Sequence, residues 1–232
     1  MNKIFEGLLE LVYPTYCAGC GQHGQSVCPE CLNSLPLIES KFCLKCGKPC
    51  NYLVEECREC RGKKFFFSQA RSLGLYKGKL RDLVHKFKYG NSRALADVFA
   101  GLLVERVERK FFEVDLITCV PLSGPKRDER GFNQAQLLAE KIAQKVDVPF
   151  LDLILQERET QDQSRLQAAE RRKNVKGVFS VHRDQLPKAA RIILVDDVFT
   201  TGSTVNECSR VLKKAGADSI RVATIARSTQ LA

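Results

Sequence analysis

Four Cys-x-x-Cys pairs within residues 17–60 most constrain how this chain folds. The pairs are Cys17 and Cys20, Cys28 and Cys31, Cys43 and Cys46, and Cys57 and Cys60. A Cys-x-x-Cys turn directs two thiolates to one point, and two such turns complete the tetrahedral four-sulfur shell of Zn²⁺. Residues 13–62 hold too little aliphatic surface to fold without such a staple. The eight cysteines therefore predict two structural zinc ions.

The pairing of these cysteines stays open at this point. Sequential pairing makes two zinc ribbons, interleaved pairing makes a cross-brace, and Cys50 is an alternative ligand. An iron–sulfur cluster is the chemical rival, but repeated Cys-x-x-Cys turns with Gly, Lys or Pro beside them favour zinc. Four protein ligands leave no open position on the metal, so we expect the sites to be structural.

Charge is divided unevenly along the 232 residues, whose net charge is +10. Residues 1–62 carry 6 Lys and Arg against 7 Asp and Glu, whereas residues 63–232 carry 31 against 20. The longer part is therefore a basic body suited to phosphates, pyrophosphate or nucleic acid, although surface lysines are also common without such a partner. The acidic balance of the cysteine segment argues against it as the main phosphate-binding surface.

Sequence signals for membranes and export are weak. No apolar run approaches 18 residues, and the start lacks the basic n-region of a secretory signal. We therefore expect a cytoplasmic protein, with membrane association at most peripheral and with cysteines that bind metal. Residues 2–12 place six apolar side chains at helical spacing, which predicts a helix that docks on its own protein. A membrane-surface helix fits less well, because Glu6 and Glu10 occupy the polar side.

From Phe65 onward, strand and helix patterns alternate. Strands are predicted over 65–76 (a strand or hairpin), 115–121, 191–195 and 220–226, and helices over 80–90, 94–111, 133–146 and 203–215. Such alternation is typical of a mainly parallel sheet covered by helices. We therefore predict an α/β domain over 63–232, preceded by a helix and a double zinc ribbon over 1–62.

The segment 192–204 (IILVDDVFTTGST) carries the strongest functional pattern. A buried strand runs into Asp196 and Asp197, and a series of small residues then leads into a helix: Thr200, Thr201, Gly202, Ser203 and Thr204. Successive N–H groups and hydroxyls at a helix N-terminus can surround a phosphate. The carboxylates repel bare phosphate, so they fit a ligand that also offers hydroxyl groups or Mg²⁺. A sugar phosphate satisfies both halves, whereas helix capping alone does not explain the carboxylates.

This segment resembles the phosphoribosyl pyrophosphate (PRPP) motif of type I phosphoribosyltransferases. Further segments make the chain similar to the ComF (ComFC) competence-protein family: KFKY at 86–89, RGFNQ at 130–134, LLA at 137–139, GVF at 177–179, and the cysteine pairs. The resemblance implies that Asp196 and Asp197 hold the ribose 2- and 3-hydroxyls. It also implies that Thr200 to Thr204 hold the 5-phosphate and that Mg²⁺ accompanies PRPP.

Two further groups of residues are assigned through this resemblance. A pyrophosphate loop is matched by Pro121, Leu122, Ser123, Lys126, Arg127 and Arg130. The alternative is a basic cluster at a helix start, with Asn133 as the cap of the next helix. A mobile lid in the polar segment 156–176 is matched by Thr160, Gln163, Arg171, Arg172 and Asn174. The alternative there is a solvated charged helix.

The activity that the resemblance implies is transfer of a phosphoribosyl group from PRPP, in natural transformation and the handling of single-stranded DNA. Lys86, Lys88 and Tyr89, near Arg93, form a basic and aromatic stripe that suits single-stranded DNA, or else one solvated side of a helix. The alternative function is a non-catalytic DNA-binding or adaptor protein that keeps the phosphate site for ligand sensing. Competence or helicase-like proteins are its expected partners. No acceptor or catalytic residue is identified.

Overall fold

The computed structural model describes residues 14–90, 92–158 and 175–229, and only the backbone of Pro125 and Lys126. Two predictions lie outside the described residues: the helix over 2–12, and the lid residues Thr160, Gln163, Arg171, Arg172 and Asn174. Among the residues that are described, no helix is both long enough and apolar enough to cross a membrane.

Four parallel strands form the central sheet. In chain order the strands are β1 (Gln69–Leu75), β2 (Leu116–Cys119), β3 (Ile154–Gln156), β4 (Phe179–Val181), β5 (Arg191–Phe199) and β6 (Ser219–Arg227). The sheet order is β1-β6-β5-β2, and all its neighbouring strands are parallel. β3 and β4 form a separate antiparallel pair. The predicted mainly parallel α/β architecture is therefore confirmed, with β5 inside the sheet.

Helices cover both faces of this sheet. They are α1 (Pro29–Asn33), α2 (Gly78–Tyr89), α3 (Leu95–Arg106), α4 (Gly124–Arg130), α5 (Gln134–Val146) and α6 (Ser203–Ala215). Ile193 and Val195 join the core that contains residues of α2, α3 and α5, whereas Ile192 and Leu194 join the core under α6. Strand side chains alternate between faces, so the apolar run of β5 is buried on both sides.

The helix predicted over 94–111 is shorter in the structure. It ends at Arg106, because Val107 adopts an extended backbone with φ −88° and ψ 140°. A short 3₁₀ helix over Arg109–Phe112 follows and buries two phenylalanines. The apolar spacing that predicted one long helix is therefore divided between two elements.

The strand predicted over 191–195 is longer in the structure. It continues to Phe199, because β6 pairs with it as far as Arg227. Asp196 and Asp197 therefore belong to the strand itself. A paired strand holds side chains more rigidly than a loop does, and this gives the two carboxylates fixed positions at the carboxyl end of the parallel strands.

Both cysteine ribbons pack on the α/β domain. The first is bound to α2 by Lys79 Nζ, 3.0 Å from Gly19 O, and by Lys86 Nζ, 2.7 Å from Ala18 O. The second is bound to β1 by Arg71, whose Nη1 donates to Leu44 O at 2.9 Å. Buried cysteines of the first ribbon join the core beside α2, and those of the second join the core under α6. Each ribbon thus extends one core of the sheet.

Candidate functional site

The eight cysteines gather into two clusters by sequential pairing. The first cluster is Cys17, Cys20, Cys28 and Cys31, and the second is Cys43, Cys46, Cys57 and Cys60. Within each cluster the four sulfur atoms lie within 4.8 Å of one another, which is compatible with one ion at their centre. Cys50 belongs to neither cluster, and its Sγ donates to Lys48 O at 3.4 Å. The arrangement is therefore two ribbons, and both clusters fit structural Zn²⁺.

Hydrogen bonds stabilise thiolates in both clusters. Cys17 Sγ accepts from Gly19 N at 3.3 Å and from Cys28 N at 3.2 Å. Burial raises the pKa of Cys17, but backbone N–H groups outweigh burial and bring the pKa down to about 6. In the second cluster, a hydrogen bond from Cys60 lowers the pKa of Cys46 to about 5. The thiolate is the form that binds a metal, so one cysteine of each cluster, Cys17 or Cys46, is favoured as a ligand by its hydrogen bonds.

The loop between β5 and α6 holds the predicted phosphate cradle, defined here as Thr200 to Thr204. Gly202 is the N-cap of α6 and has φ 76°, a conformation that L side chains rarely adopt. A Cβ at Gly202 would lie 2.5 Å from Phe199 Cζ, so the turn requires glycine. The hydroxyls of Thr201 and Ser203 are hydrogen-bonded at 2.8 Å. These hydroxyls lie at the N-terminus of a 13-residue helix, where the helix dipole favours an anion.

Asp196 and Asp197 lie at the carboxyl end of β5, just before the cradle. Burial, followed by repulsion from Asp197, raises the pKa of Asp196 to about 7. Asp197 Oδ2 forms an ion pair with Lys88 Nζ of α2 at 2.7 Å. Burial lowers the pKa of Lys88, but the Asp197 carboxylate outweighs burial and leaves this pKa raised. The site therefore pairs one carboxyl that titrates near neutrality with one that is held beside a lysine.

Residues predicted to bind pyrophosphate lie at the same carboxyl end of the parallel strands. Pro121, Leu122 and Ser123 follow β2, and Ser123 is the N-cap of α4. Arg130 ends α4 and donates from Nη2 to the Tyr89 hydroxyl at 3.0 Å, with its guanidinium 4.8 Å from the centre of that ring. The positive charges of Lys88 and Arg130 both act to lower the pKa of Asp196, which shows that α2 and α4 bring cations to the carboxylates.

Other residues of the predicted loop are placed differently. Arg127 is exposed, and the side chain of Lys126 lies outside the described part of the chain. The predicted cap at Asn133 is confirmed, because its side chain accepts from Ala135 N at 3.0 Å. Asn133 Nδ2 also donates to Val120 O at 3.1 Å, which ties the start of α5 to the loop after β2.

The three residues predicted for DNA contact separate in the structure. Lys88 pairs with Asp197, Tyr89 accepts from Arg130, and Lys86 donates to the first ribbon. They therefore do not share one open stripe, and DNA contact by them stays a prediction. The link between Lys88 and the carboxylates was missed in the sequence, because no local pattern joins α2 to β5.

A cavity of about 460 Å³ adjoins the cradle. Its walls include cradle residues, the second ribbon through Cys46 and Glu59, and basic residues such as Lys63 and Arg227. Neither Asp196 nor Asp197 lines this cavity. The cradle therefore has the carboxylates on one side and the cavity on another. Arg227 was also missed; its only signal in the sequence is a cation that ends a buried strand.

Two family models match the chain. The model described as "Phosphoribosyl transferase domain" matches residues 133–231, and the model described as "Double zinc ribbon domain" matches residues 8–61. The matches lie on either side of the boundary predicted between residues 62 and 63, which itself stays a prediction.

Curated relatives match over most of the chain. Competence protein F of Haemophilus influenzae is 32% identical over 230 residues, covering 96% of this chain and 94% of that protein. Competence protein ComFC of Streptococcus pneumoniae is 29% identical, covering 87% of each chain. DNA utilization protein YhgH of Salmonella typhi is 31% identical, covering 87% of this chain and 90% of that protein.

Among solved structures, the glutamine PRPP amidotransferase from B. subtilis is 19% identical with a TM-score of 0.41, covering 61% of this chain and 30% of that chain. The adenine phosphoribosyltransferase from Trypanosoma brucei is 18% identical with a TM-score of 0.36, covering 59% of this chain and 53% of that chain.

Proposed function

Because the chain belongs to the family of Competence protein F and ComFC, we propose that it binds PRPP, or a related phosphoribosyl ligand, together with Mg²⁺. One observation carries the proposal: Asp196 and Asp197 lie at the end of β5, and the cradle follows directly at the start of α6. A phosphoribosyl group offers hydroxyls to carboxylates and a phosphate to N–H groups. Neither half of the site alone selects such a ligand.

The cradle binds the 5-phosphate in this proposal. The cradle lies at the N-terminus of α6, where helix N–H groups point outward and the helix dipole favours an anion, and the Thr201 and Ser203 hydroxyls lie there too. The positive φ of Gly202 lets the backbone turn tightly around a phosphate. Thr200 and Thr204 complete this set of donors.

The carboxylates accept the ribose hydroxyls. Asp197 already binds Lys88 through Oδ2, and its side chain keeps 18% of its surface exposed for a ligand hydroxyl. The ion pair with Lys88 engages one oxygen of Asp197 and leaves the other oxygen to accept a hydrogen bond. Asp196 must lose its proton to accept equally well. Asp196 and Asp197 are the residues that would hold Mg²⁺, which would supply positive charge to offset that of the pyrophosphate.

Pyrophosphate is the leaving group in the reaction that we propose, and positively charged side chains would stabilise its negative charge. Arg127 and Arg130, with Lys126, would neutralise the charge that develops on it, and the loop of Pro121, Leu122 and Ser123 would hold it next to β5. Arg130 is fixed for this task by Tyr89 and by Gln134, whose Oε1 accepts from Arg130 Nη1 at 3.1 Å. The lid residues Thr160, Gln163, Arg171, Arg172 and Asn174 would exclude water during transfer.

The cavity of about 460 Å³ beside the cradle adjoins the 5-phosphate end of the proposed ligand, and neither carboxylate lines it. It is therefore not assigned to the acceptor, which must reach the anomeric carbon of the ribose.

In the cell, we propose a role in natural transformation and in the handling of single-stranded DNA on the cytoplasmic side. The names of the relatives and the charge of residues 63–232, with 31 Lys and Arg against 20 Asp and Glu, support this role. Of the predicted stripe, the exposed residues Lys86 and Tyr89 are the proposed contacts, because Lys88 is engaged by Asp197. Competence or helicase-like proteins are the proposed partners. The second candidate function is a non-catalytic DNA-binding or adaptor protein that senses a phosphoribosyl ligand.

Calorimetry with PRPP and Mg²⁺ tests the ligand. We expect binding by the wild-type protein and a loss of at least about tenfold in affinity when Asp196→Asn and Asp197→Asn are combined, because two acceptors disappear. The matched control is Asp115→Asn, which removes an exposed carboxylate that pairs with Arg191 at 2.7 Å on the opposite end of the strands. Equal binding by the double variant and the wild type would refute the ribose assignment.

Pyrophosphate release separates the two candidate functions. Release that depends on an added acceptor supports the enzyme, whereas PRPP binding without release for every acceptor class supports the sensor. DNA binding is measured in parallel at several salt concentrations. A steep loss with salt that persists in the carboxylate double variant places the DNA on the basic body, independently of the phosphoribosyl site.

A further inference from the structure

Arg227 connects the second cysteine cluster to the cradle. It ends β6 and is only 4% exposed. Its Nη2 donates to Cys46 Sγ at 3.5 Å, and its Nη1 donates to Thr200 O at 3.1 Å. One buried side chain therefore holds a metal-ligand sulfur at one end and the first residue of the cradle at the other.

The contact continues from Arg227 into the turn of the cradle. The guanidinium carbon lies 4.1 Å from the centre of the Phe199 ring. The same ring packs so closely on Gly202 that a Cβ there would lie 2.5 Å from Phe199 Cζ. A shift of Arg227 would therefore move a ring against which the cradle backbone rests, and closely packed groups transmit such shifts.

The positive charge of Arg227 is only partly compensated outside the second cluster. Its Nε is buried and finds no hydrogen-bond partner among the described residues. The nearest carboxylate oxygen in an ion pair with the guanidinium, Glu59 Oε2, lies 4.0 Å from Arg227 Nη2 and belongs to a side chain that also binds Lys48. A buried guanidinium requires a negative partner, and four thiolates around one Zn²⁺ leave a net negative cluster. The metal-bound cluster thus supplies the negative charge that Glu59 alone does not supply to the buried guanidinium.

We infer that Arg227 is a positioning residue through which metal occupancy of the second ribbon sets the affinity of the cradle for phosphorylated ligands. The first ribbon provides the internal comparison, because its contacts to α2, through Lys79 and Lys86, end on backbone carbonyls away from the cradle. Coupling between two sites is reciprocal, so a ligand in the cradle must raise the metal affinity of the second cluster by the same factor. The ligand part of this inference rests on the proposed function.

The experiment measures metal affinity at each cluster separately in the full chain. Zinc-loaded protein is equilibrated with a series of chelators, exposed cysteines are alkylated, and peptides from 17–31 and 43–60 are compared by mass spectrometry. We expect saturating Mg²⁺ and PRPP to tighten zinc binding at 43–60 by roughly 5- to 150-fold, the usual range of coupling between sites, and to leave 17–31 unchanged. Equal tightening of both clusters, or of neither while PRPP binds, would overturn the coupling.

Variants at residue 227 locate the coupling. Arg227→Met should abolish the ligand-dependent tightening and weaken zinc binding at 43–60 even without ligand, whereas Lys86→Met, the matched change at the first ribbon, should leave both properties of 43–60 unchanged. Arg227→Lys keeps a charge but loses the fork, so it should retain only part of the coupling. Full coupling in Arg227→Met would refute the assignment.

Two further outcomes also test the inference about Arg227. If Arg227→Met does not fold by circular dichroism, Arg227→Lys must still show weaker zinc binding at 43–60 than the wild type, or the inference is wrong. If the wild-type protein does not bind PRPP, the proposed function fails by itself. The contact between Arg227 and Cys46 is then judged by the ligand-free metal affinities alone, and an unchanged second cluster in Arg227→Lys overturns it.

Discussion

Lys88 Nζ lies 2.7 Å from Asp197 Oδ2, so a lysine of α2 reaches across to the carboxylate pair at the end of β5. The lysine brings positive charge to a place where two adjacent carboxylates would otherwise repel each other and any anionic ligand. Lys88 also lies close enough to Asp196 to lower its pKa. Lys88, the second lysine of the KFKY segment, thereby joins the proposed phosphoribosyl site, whereas Lys86 contacts the first ribbon.

Removing this lysine should weaken ligand binding. We expect Lys88→Met to reduce the affinity for Mg²⁺ and PRPP by about tenfold or more. The variant loses the charge-assisted contact of Lys88 with Asp197, and a contact of this kind contributes about 1.5–3 kcal/mol. Lys86→Met is the matched control two residues away, and it should change the affinity less than about twofold because Lys86 contacts Ala18 O instead. Calorimetry on the three proteins measures this. Similar losses in both variants would indicate that only the overall charge of α2 matters.

The pH dependence of binding should report Asp196. Its pKa of about 7 means that the carboxyl is largely protonated at pH 6 and ionised at pH 8. Because the ionised form accepts ribose hydroxyls, affinity for PRPP should rise across this interval and level off above it. Asp197→Asn removes the repulsion that raises this pKa, so its profile should shift to lower pH. A pH profile that is the same in Asp196→Asn as in the wild type would contradict the assignment, because the ligand phosphates would then account for it.

The same carboxyl should make the folded protein less stable as pH rises. Its pKa in the folded state lies above the ordinary value near 3.9, so the folded chain binds more protons than the unfolded chain between about pH 4 and pH 7. The free energy of unfolding then falls over that interval, by at most about 1.4 kcal/mol per pH unit. Asp196→Asn lacks this penalty and should gain stability relative to the wild type as pH rises from 5 to 8. Urea denaturation at both pH values measures the difference, and a constant difference would count against a raised pKa.

Local patterns predicted much of this fold, because they depend on neighbouring residues. The apolar run at 192–195 predicted a buried strand, and the spacing of Leu80, Leu83, Val84 and Phe87 predicted α2. The boundaries were less predictable. β5 extends through Asp197 to Phe199 because β6 pairs with it, and that partner comes from a distant part of the chain.

Contacts between distant residues could not be predicted in the same way. The cradle was predicted from five consecutive residues, but the ion pair of Lys88 with Asp197 and the contacts of Arg227 depend on how α2, β6 and the ribbon pack on β5. The sequential pairing of cysteines was open for the same reason, since the spacing allows two arrangements and only the packing of each ribbon selects one.

The cradle should not tolerate a side chain at Gly202. We expect Gly202→Ala to weaken PRPP binding by about tenfold or more and to destabilise the fold by about 1–3 kcal/mol, because the φ of 76° is strained for alanine and the new Cβ meets the Phe199 ring. Gly101→Ala is the matched control inside α3, where a Cβ meets only Lys145 Cε at 3.9 Å. That change should leave binding unchanged and stabilise the helix by about 0.5–1 kcal/mol. Tight binding by Gly202→Ala would show that the cradle does not require this turn.

Metal content should follow the two clusters and not the total number of cysteines. We expect about two zinc ions per chain in the wild type and about one in Cys46→Ser, because a serine hydroxyl is a poor zinc ligand and three thiolates leave the second site open. Cys50→Ser is the matched control, since its sulfur donates to Lys48 O outside both clusters, and it should keep about two. Elemental analysis of the purified proteins measures this ratio. If Cys50→Ser lost a zinc ion while Cys46→Ser kept two, Cys50 would be the ligand, and the second ribbon would have to be paired differently from the arrangement described above.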